Sequence, residues 1–323
     1  MKPSVIAITM GDPGGIGPEI ILKTFRHFPR TPFHYLLIGS RAPFERLQKK
    51  GERTRLHEIR GWEDLRHGVL NFWDVRPEDP GFDTGKVSRR NGTAAFEALR
   101  FAARAAVRGR VQALVTAPIH KTAMRLVRPG FYGHTEYLAQ QAKRRQYAMM
   151  FVGPRLKVTL VTIHEPLRKV SRLITKKRVL EKIILTETFL KKQLKIRRPK
   201  LAVCALNPHG KETGREDEAQ IRPAVRQARQ SRGIQAFGPL SADQVFFDAY
   251  EGRFDAVISM YHDQGLGPFK MIAFRDGVNV TLGLPFVRTS PDHGTAFDIA
   301  YQGKADPASF ISSLRLAEKL IRA

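Results

Sequence analysis

The sequence predicts an α/β fold, because short apolar runs alternate with longer segments of helical periodicity along the 323 residues. A chain of this length is sufficient for one large or two medium domains. Seven runs rich in branched residues predict strands that are covered on both faces: SVIAITM (4–10), HYLLIG (34–39), ALVTAP (113–118), YAMMFVG (147–153), LKVTLVT (156–162), LAVCAL (201–206) and AVISMY (256–261). Five segments predict helices, at residues 18–28, 91–109, 175–193, 216–230 and 307–322. In such folds ligands bind beyond the carboxyl ends of the strands, so the residues that follow each strand are the candidates for function.

Composition is that of an ordinary globular protein. Hydrophobic residues make up 42% of the chain, and no apolar run approaches the roughly 20 residues that span a bilayer. The N-terminal stretch MKPSVIAITMGDPGG lacks a signal-peptide pattern. Cys204 is the one cysteine, so an internal disulfide is impossible, and its apolar surroundings indicate a buried thiol. We therefore expect a cytoplasmic protein with no membrane partner.

Charge is the unusual feature, with 55 Lys and Arg against 30 Asp and Glu and a net charge of +25. Such a balance raises nucleic acid as a partner. However, the basic residues are spread along the chain, without a basic arm, zinc-finger spacing or an RNP-type motif. In the densest region, residues 176–200, the cations alternate with Leu and Ile at helical spacing, which is typical of a solvated helix face. We therefore expect no nucleic-acid partner, while the charge suits anionic substrates.

The stretch GDPGGIGPEI, residues 11–20, follows the first predicted strand. Its glycines permit a tight turn and close backbone approach, and Pro18 can begin a helix. The stretch is neither GxGxxG nor a P-loop, so it does not by itself indicate a nucleotide. A purely structural turn explains it equally well.

Three later strands are each followed by a histidine: His164 in VTIHEP, His209 in ALNPHG and His262 in MYHDQG. One such histidine is most often a satisfied polar residue, but the ends of parallel strands meet at one edge of a sheet. Three imidazoles with an open fourth position are typical of a catalytic site for zinc or a similar metal. Asp263 and Asp243 could orient the imidazoles, or form surface salt bridges instead.

Other strand ends supply candidates for anion binding. His134 and Thr135 lie at the start of a predicted helix, where backbone N–H groups suit an anion, although Thr135 could simply cap that helix. Arg288 and Lys270 are candidates for gripping a phosphate or carboxylate. In MYHDQGLGPFK, residues 260–270, we expect the glycines to turn the chain and bring backbone close to the substrate.

Together these stretches resemble the 4-hydroxythreonine-4-phosphate dehydrogenase family of pyridoxal 5'-phosphate (vitamin B6) biosynthesis. The resemblance runs in order from residue 5 to the C-terminal helix, and it is carried by GDPGGIGPEI, TAPIHK, GHTEYL, VTIHEP, ALNPHG, AD before VFF, MYHDQGLGPFK and NVTLGLPFVRTSPDHGTAFDIA. GIGPEI and HGTAFDIAYQGKADP are more distantly similar to isocitrate and isopropylmalate dehydrogenases. Those enzymes bind NAD without a Rossmann fingerprint. The resemblance therefore implies their two-domain fold, with the active site in the interdomain cleft.

The resemblance also implies residue roles. The divalent metal, for which zinc is favoured and magnesium, cobalt and manganese are alternatives, would be held by His164, His209 and His262. The substrate would be bound by His134, Thr135, Lys270, Asn279 and Arg288. NAD, or alternatively NADP, would contact the segment that contains Asp292, Gly294 and Asp298. The residues that take part in catalysis would be His262, Asp263, Lys270 and Asp243.

The implied domains are residues 1–125 with 275–323 for NAD, and 126–274 for the metal ligands and the interface of a homodimer. The implied reaction is oxidation of 4-phosphohydroxy-L-threonine followed by decarboxylation. Relatives in the family oxidise D-threonate or D-erythronate 4-phosphate, or a carboxylated aromatic cis-dihydrodiol. Retention of the phosphate-side residues, His134, Thr135, Lys270 and Arg288, favours a phosphorylated substrate. A non-catalytic, nucleic-acid-binding member is the remaining alternative, supported by the charge alone.

Overall fold

A computed structural model describes residues 4–26, 31–51, 54–76, 78, 81–209 and 214–322. The chain forms two compact units, which we call unit 1, Met1–Arg144 with Leu284–Arg322, and unit 2, Arg145–Gly283. The predicted domain limits, at residues 125 and 275, do not coincide with these limits. Two packing contacts explain the difference: helices near residues 121–141 pack on a helix of unit 1, and a strand at residues 278–282 pairs within unit 2.

Unit 1 is built around a parallel sheet. Labels follow chain order, and its strands are β1 (Val5–Thr9), β2 (His34–Gly39), β3 (Leu56–Glu58), β4 (Leu70–Asp74), β5 (Ala113–Thr116) and β12 (Val287–Pro291). They lie in the order β3-β4-β2-β1-β5-β12, and each recorded pairing is parallel. The helices are α1 (Gly17–Phe25), α2 (Ala42–Lys49), α3 (Arg89–Val107), α4 (Lys121–Val127), α5 (His134–Gln141) and α11 (Ala308–Arg322).

Alternation along β1 explains why helices cover both faces of the unit 1 sheet. Ile6 and Ile8 belong to one hydrophobic cluster, and Val5 and Ala7 belong to another, because successive side chains of a strand point to opposite faces. All five residues of β1 are buried. The near-continuous apolar run that predicted the strand therefore reflects burial on both sides.

Unit 2 contains a mixed sheet. Its strands are β6 (Ala148–Val152), β7 (Lys157–Leu160), β8 (Lys200–Cys204), β9 (Gln235–Leu240), β10 (Ala256–Ser259) and β11 (Val278–Leu282). They lie in the order β11-β6-β7-β10-β8-β9, with β6 antiparallel to both neighbours and the remaining pairs parallel. The helices are α6 (Leu167–Leu173), α7 (Lys176–Lys192), α8 (Arg222–Arg232), α9 (Ala242–Tyr250) and α10 (His262–Ala273). A π-helical turn, Asp217–Ile221, leads into α8.

The predicted α/β class is confirmed, and all seven predicted strands and five predicted helices are present. Residues 27 and 28 of the first predicted helix lie outside the described residues. Five strands, β3, β4, β9, β11 and β12, were not predicted from the sequence. Cys204 is fully buried, as predicted, and burial raises the pKa of its thiol. No helix in the described part of the chain is long and apolar enough to cross a membrane.

Candidate functional site

Three adjacent parallel strands of unit 2 deliver the three candidate histidines. In the order β7-β10-β8, His164 follows β7, His262 begins α10 directly after β10, and His209 follows β8. The predicted convergence at one edge of the sheet is therefore present in this unit. His164 and His209 are exposed, and the His262 side chain is 38% exposed, so their imidazoles are accessible to a ligand.

Two of the three histidine rings lie close together. The ring centroids of His164 and His262 are 5.7 Å apart. Within the described residues, no three His, Cys, Asp or Glu side chains are grouped closely enough to hold a metal ion. The imidazole donors suit a borderline metal, and the two adjacent rings supply two of them, but the described side chains do not already form a closed set of three ligands.

One predicted carboxylate contacts a histidine, and the other is influenced by the charge of one. Asp263 Oδ1 is 2.7 Å from Nδ1 of His262, which leaves Nε2 of that ring as the outer nitrogen. The pKa of Asp243 is lowered, chiefly by a hydrogen bond with Ser241 and in smaller part by nearby His209. The Asp263 contact is the one expected of a group that orients an imidazole.

Two polar side chains that sequence reasoning missed hold the strand ends of unit 2. Gln264 accepts a hydrogen bond from the backbone N–H of Met260 and donates one to the carbonyl of Ala205, each at 2.7 Å, so it links the ends of β10 and β8. Asp217 is fully buried and accepts from the backbone N–H of Leu206 and of Asn207. Both residues lie among other polar residues in the sequence, so no local signal distinguished them.

The prediction of a glycine turn in residues 260–270 was wrong, because this stretch is helical throughout α10 from His262 onward. A Cβ on Gly265 would lie 2.3 Å from Ser259 Oγ and 2.9 Å from a methyl of Val158. Gly265 therefore lets the helix pack closely on the sheet rather than approach a substrate. Lys270 lies about 12 Å further along the helix axis than His262, at 1.5 Å per residue. Asn279 lies on β11, where its buried Oδ1 has no hydrogen-bond partner among the described residues.

Unit 1 brings together three of the predicted substrate-binding residues. Arg288 on β12 is only 3% exposed and donates a hydrogen bond to Thr116 Oγ1 on β5 at 2.8 Å. Burial lowers the pKa of Arg288 to about 10, while nearby Glu136 acts in the opposite direction. The guanidinium therefore stays charged at neutral pH and is largely withdrawn from water, an arrangement that favours an anionic partner.

His134 adjoins this buried cation at the start of α5. Burial, with the charges of Arg288 and Lys121, lowers the pKa of His134 well below its usual value, so the imidazole is neutral. Its buried Nε2 has no partner among the described residues. Thr135 is buried but does not cap the helix, because the N-cap residue is Gly133. The simple capping alternative for Thr135 is therefore wrong.

The predicted cofactor residues lie in one segment after β12. The backbone N–H of Asp292 donates a hydrogen bond to Ser309 Oγ, Gly294 is exposed, and Asp298 belongs to a 3-10 turn, Phe297–Ile299. Within unit 1, the GDPGG loop packs against this segment, since the N–H of Ile16 donates to the carbonyl of Thr295 at 3.0 Å. A Cβ on Gly15 would lie 2.7 Å from the same carbonyl. At Gly15, the structural explanation of the GDPGG stretch therefore holds.

Asp12 in this loop is a buried carboxylate that the sequence did not single out. It is 1% exposed, and its Oδ1 accepts from the N–H of Gly14 at 2.9 Å. Its Oδ2 has no hydrogen-bond partner among the described residues. Burial raises the pKa of Asp12 to about 6, against the lowering effect of hydrogen bonds from the N–H groups of Gly14 and His120. The carboxylate is therefore held in its charged form near neutral pH at a cost in stability.

Comparisons with known proteins show relatives along nearly the whole chain. Residues 32–317 match the model of the family "Pyridoxal phosphate biosynthetic protein PdxA". The chain is 44% identical over 321 residues to a 4-hydroxythreonine-4-phosphate dehydrogenase of Desulforapulum autotrophicum, covering 97% of this chain and 94% of the relative. It is 41% identical over 329 residues to a D-threonate 4-phosphate dehydrogenase of Salmonella typhimurium, covering 99% and 100%. The crystal structure of 4-hydroxythreonine-4-phosphate dehydrogenase from Klebsiella pneumoniae superposes with a TM-score of 0.86 at 36% identity, covering 98% of this chain and 99% of that one.

The fold and these relatives define a dehydrogenase of the α/β class. More particularly, the chain belongs to the PdxA family of pyridoxal phosphate biosynthesis. The predictions of the family and of the enzyme class are confirmed.

Proposed function

We propose that this protein oxidises 4-phosphohydroxy-L-threonine with NAD and a divalent metal. The C–H bond of the secondary alcohol breaks with hydride transfer to NAD⁺, the hydroxyl proton is released, and a ketone forms. The product, 2-amino-3-oxo-4-phosphooxybutanoate, is a β-keto acid that loses carbon dioxide to give 3-amino-2-oxopropyl phosphate. This reaction belongs to the synthesis of pyridoxal 5'-phosphate, the process for which the family is described.

The observation that carries a phosphorylated substrate is the buried, charged Arg288 with neutral His134 beside it. A guanidinium can hold phosphate through two parallel hydrogen bonds, and a neutral imidazole can donate a third. Burial strengthens each of these contacts, because water competes poorly for the same groups. We assign this set, with Thr135, to the phosphate, and Lys270 and Asn279 to the remaining polar groups of the substrate.

We assign the metal to His164, His209 and His262, with zinc favoured and magnesium, cobalt or manganese as alternatives. A metal bound there would lower the pKa of the substrate alcohol and stabilise the charge that develops during decarboxylation. Asp263 would fix the orientation of the His262 ring through its contact at Nδ1. Asp243 would act in the same way near His209, and either carboxylate could relay the proton.

We assign the cofactor to the segment that contains Asp292, Gly294 and Asp298, and we retain NADP as the alternative to NAD. The exposed Gly294 has no protein atom within 4 Å of the position of a Cβ, so backbone there is open to a ligand. A homodimer in the cytoplasm and an active site in the interdomain cleft remain predictions.

A second candidate substrate is D-threonate 4-phosphate, favoured by the relative that is 41% identical over almost the whole chain. It carries the same phosphate and secondary alcohol, so Arg288 and His134 serve both substrates equally. D-Erythronate 4-phosphate is a third member of this class. The residues assigned above do not discriminate among them, and only turnover does.

The test is formation of NADH by the metal-loaded protein with each of the three phosphates, with and without a chelator. Chelator-sensitive turnover of 4-phosphohydroxy-L-threonine supports the proposal. Turnover of a sugar-acid phosphate alone keeps the residue roles and replaces the substrate. Failure with all three contradicts the proposal, and the carboxylated aromatic cis-dihydrodiol becomes the next substrate to measure.

A further inference from the structure

A pocket of about 390 Å³ in unit 2 lies at the amino ends of β8 and β9, where β8 begins at Lys200 and β9 at Gln235. His209 follows the opposite, carboxyl end of β8. The five residues of that strand alone separate the two ends by roughly 16 Å at 3.3 Å per residue. The pocket is therefore distinct from the histidine set.

The lining of this pocket carries an excess of positive charge. Lys191 forms an ion pair with Glu187, so these two charges compensate each other. Arg197 and Arg198 also line the pocket, and both are exposed. Neither arginine has a hydrogen-bond or ion-pair partner among the residues that the structure describes. Three cations and one carboxylate leave the lining with a net charge of +2.

Helix dipoles explain the neighbouring cations but not these two arginines. Helix α7 ends at Lys192 and α8 ends at Arg232, and each has basic residues in its last turn, where they complement the negative end of the helix. That effect falls off within one turn. Arg197 and Arg198 lie beyond the end of α7, in the loop that leads to β8, and therefore require another explanation.

The loop that carries these arginines is fixed at both ends. The N–H of Ile196 donates to the carbonyl of Leu190 at 3.0 Å, and the N–H of Lys200 donates to Asp255 Oδ2 at 2.7 Å. Pro199 is buried in between. A loop held in this way orders little backbone when it binds a ligand, which lowers the entropic cost of binding.

We propose that this pocket binds an oligophosphate, the group shared by nucleoside di- and triphosphates and inorganic tripolyphosphate. Two adjacent guanidinium groups match the fork geometry of phosphate oxygens. The volume is in the range of small-molecule sites and exceeds what one phosphate needs. The basic stretch of residues 176–200 thus divides into a solvated helix face on α7 and a separate anion site that follows it.

The test is calorimetric titration of the full-length protein with tripolyphosphate, ATP and inorganic phosphate at physiological salt, without added divalent metal. The wild type should bind tripolyphosphate more tightly than inorganic phosphate. The double variant Arg197→Gln/Arg198→Gln should weaken tripolyphosphate binding by about tenfold or more, since it removes the charge-assisted hydrogen bonds. ATP binding tighter than tripolyphosphate would identify a nucleotide as the ligand, and equal binding would identify the oligophosphate alone; either result supports the proposal.

The matched control is Lys176→Gln/Lys177→Gln, which removes the same charge from exposed positions at the other end of α7. It should change the affinity less than twofold. Arg288 is intact in all three proteins, so an anion bound there contributes equally to each titration. Equal weakening of tripolyphosphate binding in the two double variants would show a general electrostatic effect and would overturn the proposal. A wild-type affinity for tripolyphosphate no higher than that for inorganic phosphate would overturn it as well. Binding of a short DNA duplex that both variants weaken alike would overturn it in favour of nucleic acid.

Discussion

The phosphate-side set of unit 1 and the histidine set of unit 2 differ in how completely the protein has assembled them. Arg288 and His134 are enclosed, with their protonation states fixed by burial. The three histidines follow neighbouring strands at an accessible end of the unit 2 sheet, and the rings of His164 and His262 lie close together. A buried cation must be positioned by the fold itself, at a cost that a bound anion can offset, whereas the candidate metal ligands could be drawn together by a metal.

The largest expected effect is loss of metal and activity in His262→Ala. His262 is the member of the histidine set that contacts both His164 and Asp263, so removing it leaves no adjacent donor pair. We expect the purified variant to contain no stoichiometric metal and to lose activity by at least about a thousandfold, with an unchanged circular dichroism spectrum. His57→Ala, which removes a histidine from unit 1, should retain both metal and activity. Full metal content in His262→Ala would exclude this histidine as a ligand.

The next largest effect is expected for Arg288→Met, which tests the buried pair of Arg288 and His134. Loss of a buried, charge-assisted contact to phosphate should lower kcat/KM by about 100-fold or more. Stability should not fall, because the variant also removes a buried charge whose pKa is depressed to about 10, which means that the charged form is penalised in the folded state. Steady-state kinetics and thermal melting check the two parts. An unchanged kcat/KM would place the phosphate elsewhere.

Sequence reasoning predicted that the three histidines follow strands of one sheet, because that arrangement depends on topology. Each follows an apolar run that is readable as a strand, and parallel strands β7, β10 and β8 are neighbours. It failed at residues 260–270, where two glycines suggested a turn although the helix α10 continues through them. The tight packing of Gly265 on β7 and β10 overrides the low helix propensity of glycine, and such tertiary contacts are absent from a local pattern.

Sequence reasoning also missed most of the side chains whose hydrogen bonds support the candidate sites, for a related reason. Asp217, Gln264 and Thr116 act through hydrogen bonds to residues that are remote in sequence or on other strands. Their burial, which distinguishes them from ordinary surface residues, depends on the complete fold. Edge strands such as β3 and β9 were missed because their partial exposure removes the continuous apolar signal.

A smaller effect is expected for Asp12→Asn, which tests whether the buried charge of Asp12 lowers the free energy of unfolding. The folded-state pKa of about 6 lies above the ordinary 3.8, so wild-type stability decreases as pH rises between these values. The variant, which cannot ionise, should be more stable than the wild type above pH 6, by up to about 3 kcal/mol from 1.4 kcal/mol per pKa unit. The advantage should shrink below about pH 4. Chemical denaturation at several pH values measures it, and a pH-independent difference would contradict the assigned cause.

The smallest expected effect comes from a matched pair of glycines in α10, which tests how rigidly the histidine set is supported. Gly265→Ala places a methyl group 2.3 Å from Ser259 Oγ and should destabilise the protein by about 1–3 kcal/mol, because the helix must shift away from the sheet. Gly267→Ala meets no atom within 4 Å and should be neutral or stabilising by about 0.5 kcal/mol, since alanine favours the helix and the following Pro268 reduces the gain. Because α10 begins at His262, the shift in Gly265→Ala should also weaken metal affinity, while Gly267→Ala leaves it unchanged. The two variants could instead differ in unfolding free energy and have equal metal affinity. That result would mean that the strand ends alone position the histidines, and that the metal draws the ligands together without help from the helix.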